Sequence, residues 1–297
     1  MGLLVSVRVN RVEPVLPVVV FMDGFAAHHD QVDDDTAKRQ AILDSGRFRF
    51  WSLGWRDLPE VGREVSDRAA IFLDGLQRES EKERFGKLAV RMAWGRHAEY
   101  QETVRRGPLY WLQRYLTDPE EARVTLEMAA RSRAFGVMDM ATLKDPELRE
   151  AALTELDAMV PGWMRRRLRG SDANPPVVGG SLQALSGTAY RVGFALVIPR
   201  DALLSSASLT GGIRAVFALD DGKADTGPDF EADWQAFWGA TNLLQFLPGF
   251  QMMSAQGVAA ERYAPGDAHD QKDAPTRDLI SDESQPGSLG EPPPGVR

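Results

Sequence analysis

The chain has 297 residues, 43% of them hydrophobic and 26% charged, an ordinary globular composition long enough for one large or two small domains. With 35 Lys and Arg against 43 Asp and Glu the formal charge is −8, which argues against a whole-chain electrostatic grip on nucleic acid and leaves only local basic patches. Cys is absent, which excludes disulfides, thiolate chemistry and cysteine-ligated zinc, and no apolar run approaches the length of a membrane span.

Near the N-terminus Val5, Val7 and Val9 alternate with Ser6, Arg8 and Asn10, the period of a strand with one wet face. Arg8 and Arg11 interrupt this segment too early for a secretory signal, so the cytoplasm is the expected compartment. Glu13-Pro14 and Pro17 break the pattern and return the chain into Val18–Met22, a β-branched and aromatic run that reads as a strand buried on both faces. Asp23-Gly24 turns the chain. The acids Asp33, Asp34 and Asp35 precede a helix expected over 36–45, which Gly46 ends with a positive φ. A second strand follows, with Phe48, Phe50 and Ser52 on one face and Arg49, Trp51 and Leu53 on the other. A right-handed crossover makes these two strands parallel neighbours. Polar groups at the carboxyl ends of such strands are where α/β folds place ligands.

From 55 to 107 the signals are weaker. Asp57 reads as the cap of a short helix and 66–76 as a second helix, while the charge run 79–84 reads as a solvated face or linker and marks a domain boundary. Thr117-Asp118-Pro119-Glu120-Glu121 is a helix start, with a capping side chain, proline in the first turn and acids facing the dipole; the helix is expected to reach Gly136. Asp145-Pro146-Glu147 repeats the signal ahead of an apolar stripe of Leu148, Ala152, Leu156 and Met159. Arg165, Arg166 and Arg167, with Arg169, close this region as a basic cluster. Residues 171–187 read as a Pro/Gly/Ser-rich linker. Tyr190, Val192, Phe194, Leu196 and Ile198 then alternate as a strand, and Ile213, Ala215, Phe217 and Leu219 as another that pairs with it. An amphipathic helix is expected over 228–247, with Phe230, Trp234, Phe237, Trp238, Thr241 and Leu244 on one stripe and Asn242 and Gln245 near its polar side as interface candidates. Beyond Tyr263 the composition offers almost no large apolar residue to offset ordering entropy, so a disordered tail is expected.

Three of these runs carry a resemblance. Asp23-Gly24-x-x-x-His28, then Asp34-Asp35-x-x-Lys38-Arg39, then Ser45-Gly46-Arg47-x-x-x-Trp51-Ser52-Leu53-x-Trp55, resemble a module near the C-terminus of large bacterial DEAD/DEAH-box helicases. The run from Asn242 to Gly249 resembles that family's closing helix, so the likeness extends to about Gln256. Its strand–turn–His portion is similar to the very-short-patch-repair endonucleases, a branch of the PD-(D/E)XK nuclease fold. The resemblance implies a small restriction-endonuclease-like sheet. It also implies Asp23 and His28 as catalytic candidates, Asp23 as a ligand of Mg²⁺ or Mn²⁺, and Lys38 and Arg39 against a phosphate backbone.

The sequence departs from the endonuclease pattern in three places. The stretch before Asp23 contains no Asp, and its only acid is Glu13. Met22 stands where that branch has a metal-shell threonine, and no Glu-x-Lys follows shortly after Asp23. A hydrolytic metal site needs several oxygen ligands. A Gly-x-x-x-x-Gly-Lys-[Ser/Thr] loop is absent too, so neither ATP binding nor ATP hydrolysis is expected.

Each candidate also has a plainer reading. Asp23 can satisfy turn amides beside Gly24, with His28 a loop residue. Asp34–Lys38 and Asp35–Arg39 are i,i+4 pairs at the acidic start of a helix. Arg165, Arg166 and Arg167 contact nucleic acid, or they sit at a helix C-terminus against its dipole. Trp234, Phe237 and Trp238 at helical spacing read as core.

The expectation is therefore an α+β protein: an endonuclease-like mixed sheet over 1–58, a helical region over 59–170, a short β pair with a long helix over 171–262, and a tail over 263–297. Its leading function is an accessory nucleic-acid-associated module of a DEAD/DEAH-box helicase system without a motor, with DNA or a helicase-system protein as partner. The alternatives are a metal-dependent PD-(D/E)XK-like nuclease and a structural docking module.

Overall fold

The computed structural model describes residues 2–5, 15–54, 57, 69–74, 97–138, 145–169, 177–184, 191–198, 213–223 and 227–263. The charge run 79–84, the interval 6–14 and the tail beyond Tyr263 lie outside the described residues. Two sheets and a set of helices form an α+β arrangement. The first sheet has the order β1-β2-β3, from Gly2–Val5, Val18–Met22 and Arg49–Leu53, with β1 antiparallel and β3 parallel to β2. Between β2 and β3 run α1, Phe25–His28, and α2, Val32–Asp44. The parallel pair is thus the expected strand–helix–strand crossover. Strand β2 is buried at Val18 and Val20 and half-buried at Val19 and Phe21 on the opposite face, while Met22 at its end is exposed, so it is not buried on both faces along its length.

Helix α2 starts earlier than the periodicity suggests, because Asp33, Asp34 and Asp35 form its first turn and face the positive end of its dipole. Gln31 stands at the N-cap without a side-chain capping bond. At the other end Gly46 takes φ +62°, as a terminating glycine does.

The second sheet has five strands in sequence order: β4 Ala69–Asp74, β5 Val177–Ala184, β6 Val192–Ile198, β7 Arg214–Leu219 and β8 Phe250–Ser254. Neighbours are antiparallel except β7 and β8, which are parallel. Two expectations are corrected here. Residues 66–76, read as helical, contain strand β4; a short apolar run has no period that separates the two states. The supposed linker 171–187 contains β5, and the expected β pair is the centre of a larger sheet.

Glycine misled the linker reading. Gly180 and Gly193 are small because a helix sits on them: a Cβ at either would lie 2.8 Å from a methyl of Leu156. Leu156 belongs to α6, Pro146–Asp157, which follows α3, His97–Arg105, α4, Pro108–Thr117, and α5, Pro119–Met138. Helix α6 begins as expected, with the Asp145 carboxylate accepting from the amides of Glu147 and Leu148. Its predicted stripe holds at Ala152, Leu156 and Met159, whereas Leu148 is exposed.

Strand β6 is buried along its whole length, so its alternation is one of size rather than polarity. Val192, Phe194, Leu196 and Ile198 join one core with Phe217, Trp51, Leu126 and the aromatic stripe of α8, Pro228–Leu244. Ala195 and Val197 join the other, with α6 and α7, Gly162–Leu168. Phe230, Trp234, Phe237 and Trp238 are all buried on α8, and Phe237 stacks on Phe217 at 5.1 Å. Burial of each such side chain contributes about 1.5–3 kcal/mol. The chain leaves α8 through Gly249, at φ +65°, and closes with β8 and α9, Ala255–Ala259.

The outer edge of β3 has no neighbouring strand among the described residues. Two carboxamides on α8 and its C-cap take that place. Asn242 accepts from the Ser52 amide (2.7 Å) and donates to the Ser52 carbonyl (2.8 Å). Gln245 accepts from the Phe50 amide (3.3 Å) and donates to the Phe50 carbonyl (2.6 Å). A carboxamide has the donor and acceptor of a peptide group, and alternate residues of a strand present those groups to one side. These two residues, expected on a polar face as interface candidates, are buried within the chain. Gln40 of α2 likewise accepts from the Met252 amide of β8 (3.0 Å).

A strap formed by Arg262 and Tyr263 fastens α2 from the other side. The Tyr263 hydroxyl lies 3.0 Å from Thr36 Oγ1 and accepts from the Ser254 amide at 2.8 Å. Arg262 pairs with Asp33 and Asp34. Ser254 caps α9 by accepting from the Gly257 amide.

Candidate functional site

The carboxyl ends of parallel β2 and β3 bring together Asp23, His28, Asp35, Arg39, Ser52 and Asp57. Asp23 follows β2 directly, and its amide donates to the Leu53 carbonyl (2.9 Å), extending the β2–β3 pairing by one bond. That fixes the base of its side chain at the mouth of the sheet. His28 ends α1, and its Nδ1 lies 3.0 Å from Asp35 Oδ2. One ligand atom each from Asp23, His28 and Asp35 falls within 4.8 Å of the others, a grouping with the donor chemistry of a cation site.

Arg39 occupies that grouping. Expected against a phosphate backbone, it is 1% exposed and lies inside the protein. Its Nη2 donates to both oxygens of Asp23 at 2.7 Å. Nε donates to Ser52 Oγ (2.9 Å), and Nη1 to the Asp35 carbonyl (3.2 Å). The guanidinium plane is held between two rings, its carbon 4.2 Å from the centroid of Phe21 and 4.1 Å from that of Trp238. The i,i+4 placement on α2 delivers Arg39 one turn beyond Asp35, whose Oδ1 lies 3.5 Å from Nη1. Arg39 is therefore an internal counter-ion, unavailable to a ligand from outside.

The other predicted residues fall in different places. Lys38 is 60% exposed, with its Nζ 3.6 Å from Asp35 Oδ1; Asp34, its expected partner, pairs with Arg262. Arg165, Arg166 and Arg167 lie in the last turn of α7, which packs through Trp163, Met164 and Leu168 into the core on the other face of the five-stranded sheet from α8. The fold does not gather them with Asp23. Their position at a helix C-terminus suits the dipole, and Arg169 beyond them reaches Asp157 and Glu150.

Sequence reasoning missed Asp57 as a member of the group. Its Oδ2 accepts from the Gly54 amide (2.7 Å), which closes the turn after β3; the residues that follow it, where a short helix is expected, lie outside the described residues. Burial pushes the Asp57 carboxyl up, the Gly54 hydrogen bond opposes this, and the Asp23 charge adds to the upward push. Ser52 was missed too, because alternation places it on a strand face and says nothing of a partner. The spacing Trp51-Ser52-Leu53 gives no hint of its Arg39 bond, whereas the Asp35–Arg39 spacing does announce a pair.

The residues do not fit a resident divalent metal at Asp23. A hard cation needs oxygen lone pairs pointing into one open volume, and both Asp23 oxygens already accept from a buried guanidinium. Comparison with protein-family models, with curated proteins and with solved structures found no match.

Proposed function

We propose that the chain is an accessory nucleic-acid-associated module of a DEAD/DEAH-box helicase system, working in the cytoplasm without an ATPase motor and without metal-dependent cleavage of its own. The observation that carries the non-catalytic part is the Asp23–Arg39 pair. A nuclease acid that holds a metal must present free oxygens, and this one is closed by an arginine that two rings and Ser52 keep in place. The helicase and nucleic-acid part rests on the three motif runs around Asp23, Lys38 and Trp51 and on the closing run from Asn242. The β2–α2–β3 unit is then a restriction-endonuclease-like fold used as a scaffold. Lys38, exposed on α2, and the α7 arginines are the phosphate-binding candidates.

The test pairs a cleavage assay with a binding assay. Duplex and single-stranded DNA incubated with the chain in Mg²⁺ or Mn²⁺ remain intact. Fluorescence anisotropy detects salt-sensitive binding that weakens in an Arg165→Ala/Arg166→Ala/Arg167→Ala variant. On a duplex the log–log salt slope falls by about 0.9 for each phosphate that the variant no longer neutralises. Cleavage that co-purifies with the chain overturns the reading in favour of a nuclease. An absence of binding to DNA and RNA alike favours the docking module, which the net charge of −8 also suits.

A further inference from the structure

We infer that Arg39 is the resident cation of the Asp23–His28–Asp35 cluster: its guanidinium supplies the positive charge that a divalent ion would otherwise bring, and it keeps Mg²⁺ and Mn²⁺ out. This rests on the non-catalytic part of the proposed function and goes further, because it assigns the cluster an occupant.

Three observations carry it. The first is the grouping itself. Two carboxylates and an imidazole with ligand atoms inside 4.8 Å form a donor set that needs a counter-charge. The second is the engagement of all four carboxylate oxygens. Asp23 Oδ1 and Oδ2 accept from Nη2, Asp35 Oδ2 faces His28, and Asp35 Oδ1 faces Arg39 and Lys38 within ion-pair distance. The charges of Asp23 and Asp35 are offset by Arg39 and Lys38, with Asp57 a further carboxylate beside Asp23, so an entering dication meets a guanidinium already at the centre of the group. The third is rigidity. Ser52, the Asp35 carbonyl and the rings of Phe21 and Trp238 hold the guanidinium from the sides that Asp23 does not. A lysine point charge on a flexible stem would lack the planar fork and the two stacked faces.

If a guanidinium does the work of the ion, removing it while keeping the apolar stem should create a metal site. Arg39→Met leaves two carboxylates and an imidazole without their central charge. In calorimetric titration with MnCl₂, Arg39→Met is expected to bind one ion at least about tenfold more tightly than wild type. Adding Asp23→Asn removes the gain, and Arg39→Lys, which keeps a positive charge, does not show it.

Loss of a buried partner will weaken the fold of Arg39→Met, so thermal unfolding is followed with and without Mn²⁺. The metal is expected to raise the Tm of Arg39→Met and not that of wild type. In wild type, NMR signals of the His28 ring should show no selective broadening by Mn²⁺. Wild-type binding as tight as the variant's overturns the inference, as does selective broadening at His28. A variant that gains neither binding nor stability from Mn²⁺ overturns it as well. DNA cleavage by wild type would instead sink the proposed function, so the two failures are distinct.

Discussion

Replacing Asp23 with Ala separates an occupied ion pair from an empty anionic site. In an empty site the loss of a carboxylate relieves repulsion and leaves stability unchanged or higher. If Asp23 only satisfied turn amides, the change would cost about 1 kcal/mol. The structure gives a larger figure. Side chains of Asp23 and Arg39 are 4% and 1% exposed, with Nη2 2.7 Å from both carboxylate oxygens, so Asp23→Ala takes from a buried guanidinium its shortest ion pair and leaves it only the 3.5 Å pair with Asp35. Breaking such a pair on one side costs about 3–5 kcal/mol, a large share of a total stability of about 5–15 kcal/mol. With an m-value of about 2 kcal/mol per molar, the urea midpoint falls by roughly 2 M. The assay is equilibrium urea unfolding of wild type, Asp23→Ala, Arg39→Met and the double variant. The double variant should be less destabilised than the sum of the singles, because it leaves neither charge unpaired. An Asp23→Ala cost within about 0.5 kcal/mol of zero, or additivity of the two changes, would refute the ion-pair account.

Asp57 makes stability pH-dependent in a defined sense. Its folded pKa is raised, so its contribution is full below the unfolded value of about 3.9 and is lost as pH rises through the folded value. Asp57→Asn, which keeps an acceptor for the Gly54 amide, should therefore gain on wild type in urea midpoint as pH rises above about 4; a pH-independent difference would count against this. Tyr263→Phe removes the partner of Thr36 and of the Ser254 amide and is expected to cost about 1–3 kcal/mol by thermal unfolding. A chain ending directly after Tyr263 should unfold like the full chain, whereas one ending before Arg262 should lose cooperativity or stability. Gly180→Ala drives a Cβ toward Leu156 and should cost about 1–3 kcal/mol, partly recovered by Leu156→Val; equal stability would mean that α6 can withdraw freely.

Much of the first sheet was legible because its signals are local. A β-branched run, an acidic helix start, Gly46 and an alternating strand each follow from a few neighbouring residues, and the parallel pairing follows from their order. The stripe on α8 was legible for the same reason. The five-stranded sheet was not. Strand β4 is too short to have a period, and β5 carries a glycine whose reason, room for Leu156 on another element, leaves no local pattern. The site divides along the same line. The spacing of Asp35 and Arg39 announces a pair on one helix. That Arg39 also reaches Asp23 and Ser52, and lies against Trp238, depends on how α2, β3 and α8 meet, which no window of sequence contains.

The carboxamides of Asn242 and Gln245 also bear on what the chain does in company. An unpaired strand edge is a template for pairing with another molecule, and proteins commonly blunt it with charge, proline or a bulge. Here the edge of β3 is blunted by a helix that reproduces the face of a missing strand, with two donors and two acceptors matched to Phe50 and Ser52. The match holds for one rotational setting of α8, since a turn of the helix about its axis withdraws both amides together. Folding of α8 onto the first sheet is thus also the step that closes the β3 edge to a neighbour. A chain synthesised only as far as residue 241 would carry β3 with that edge uncovered, and self-association, rather than loss of fold alone, is the hazard such a truncation brings.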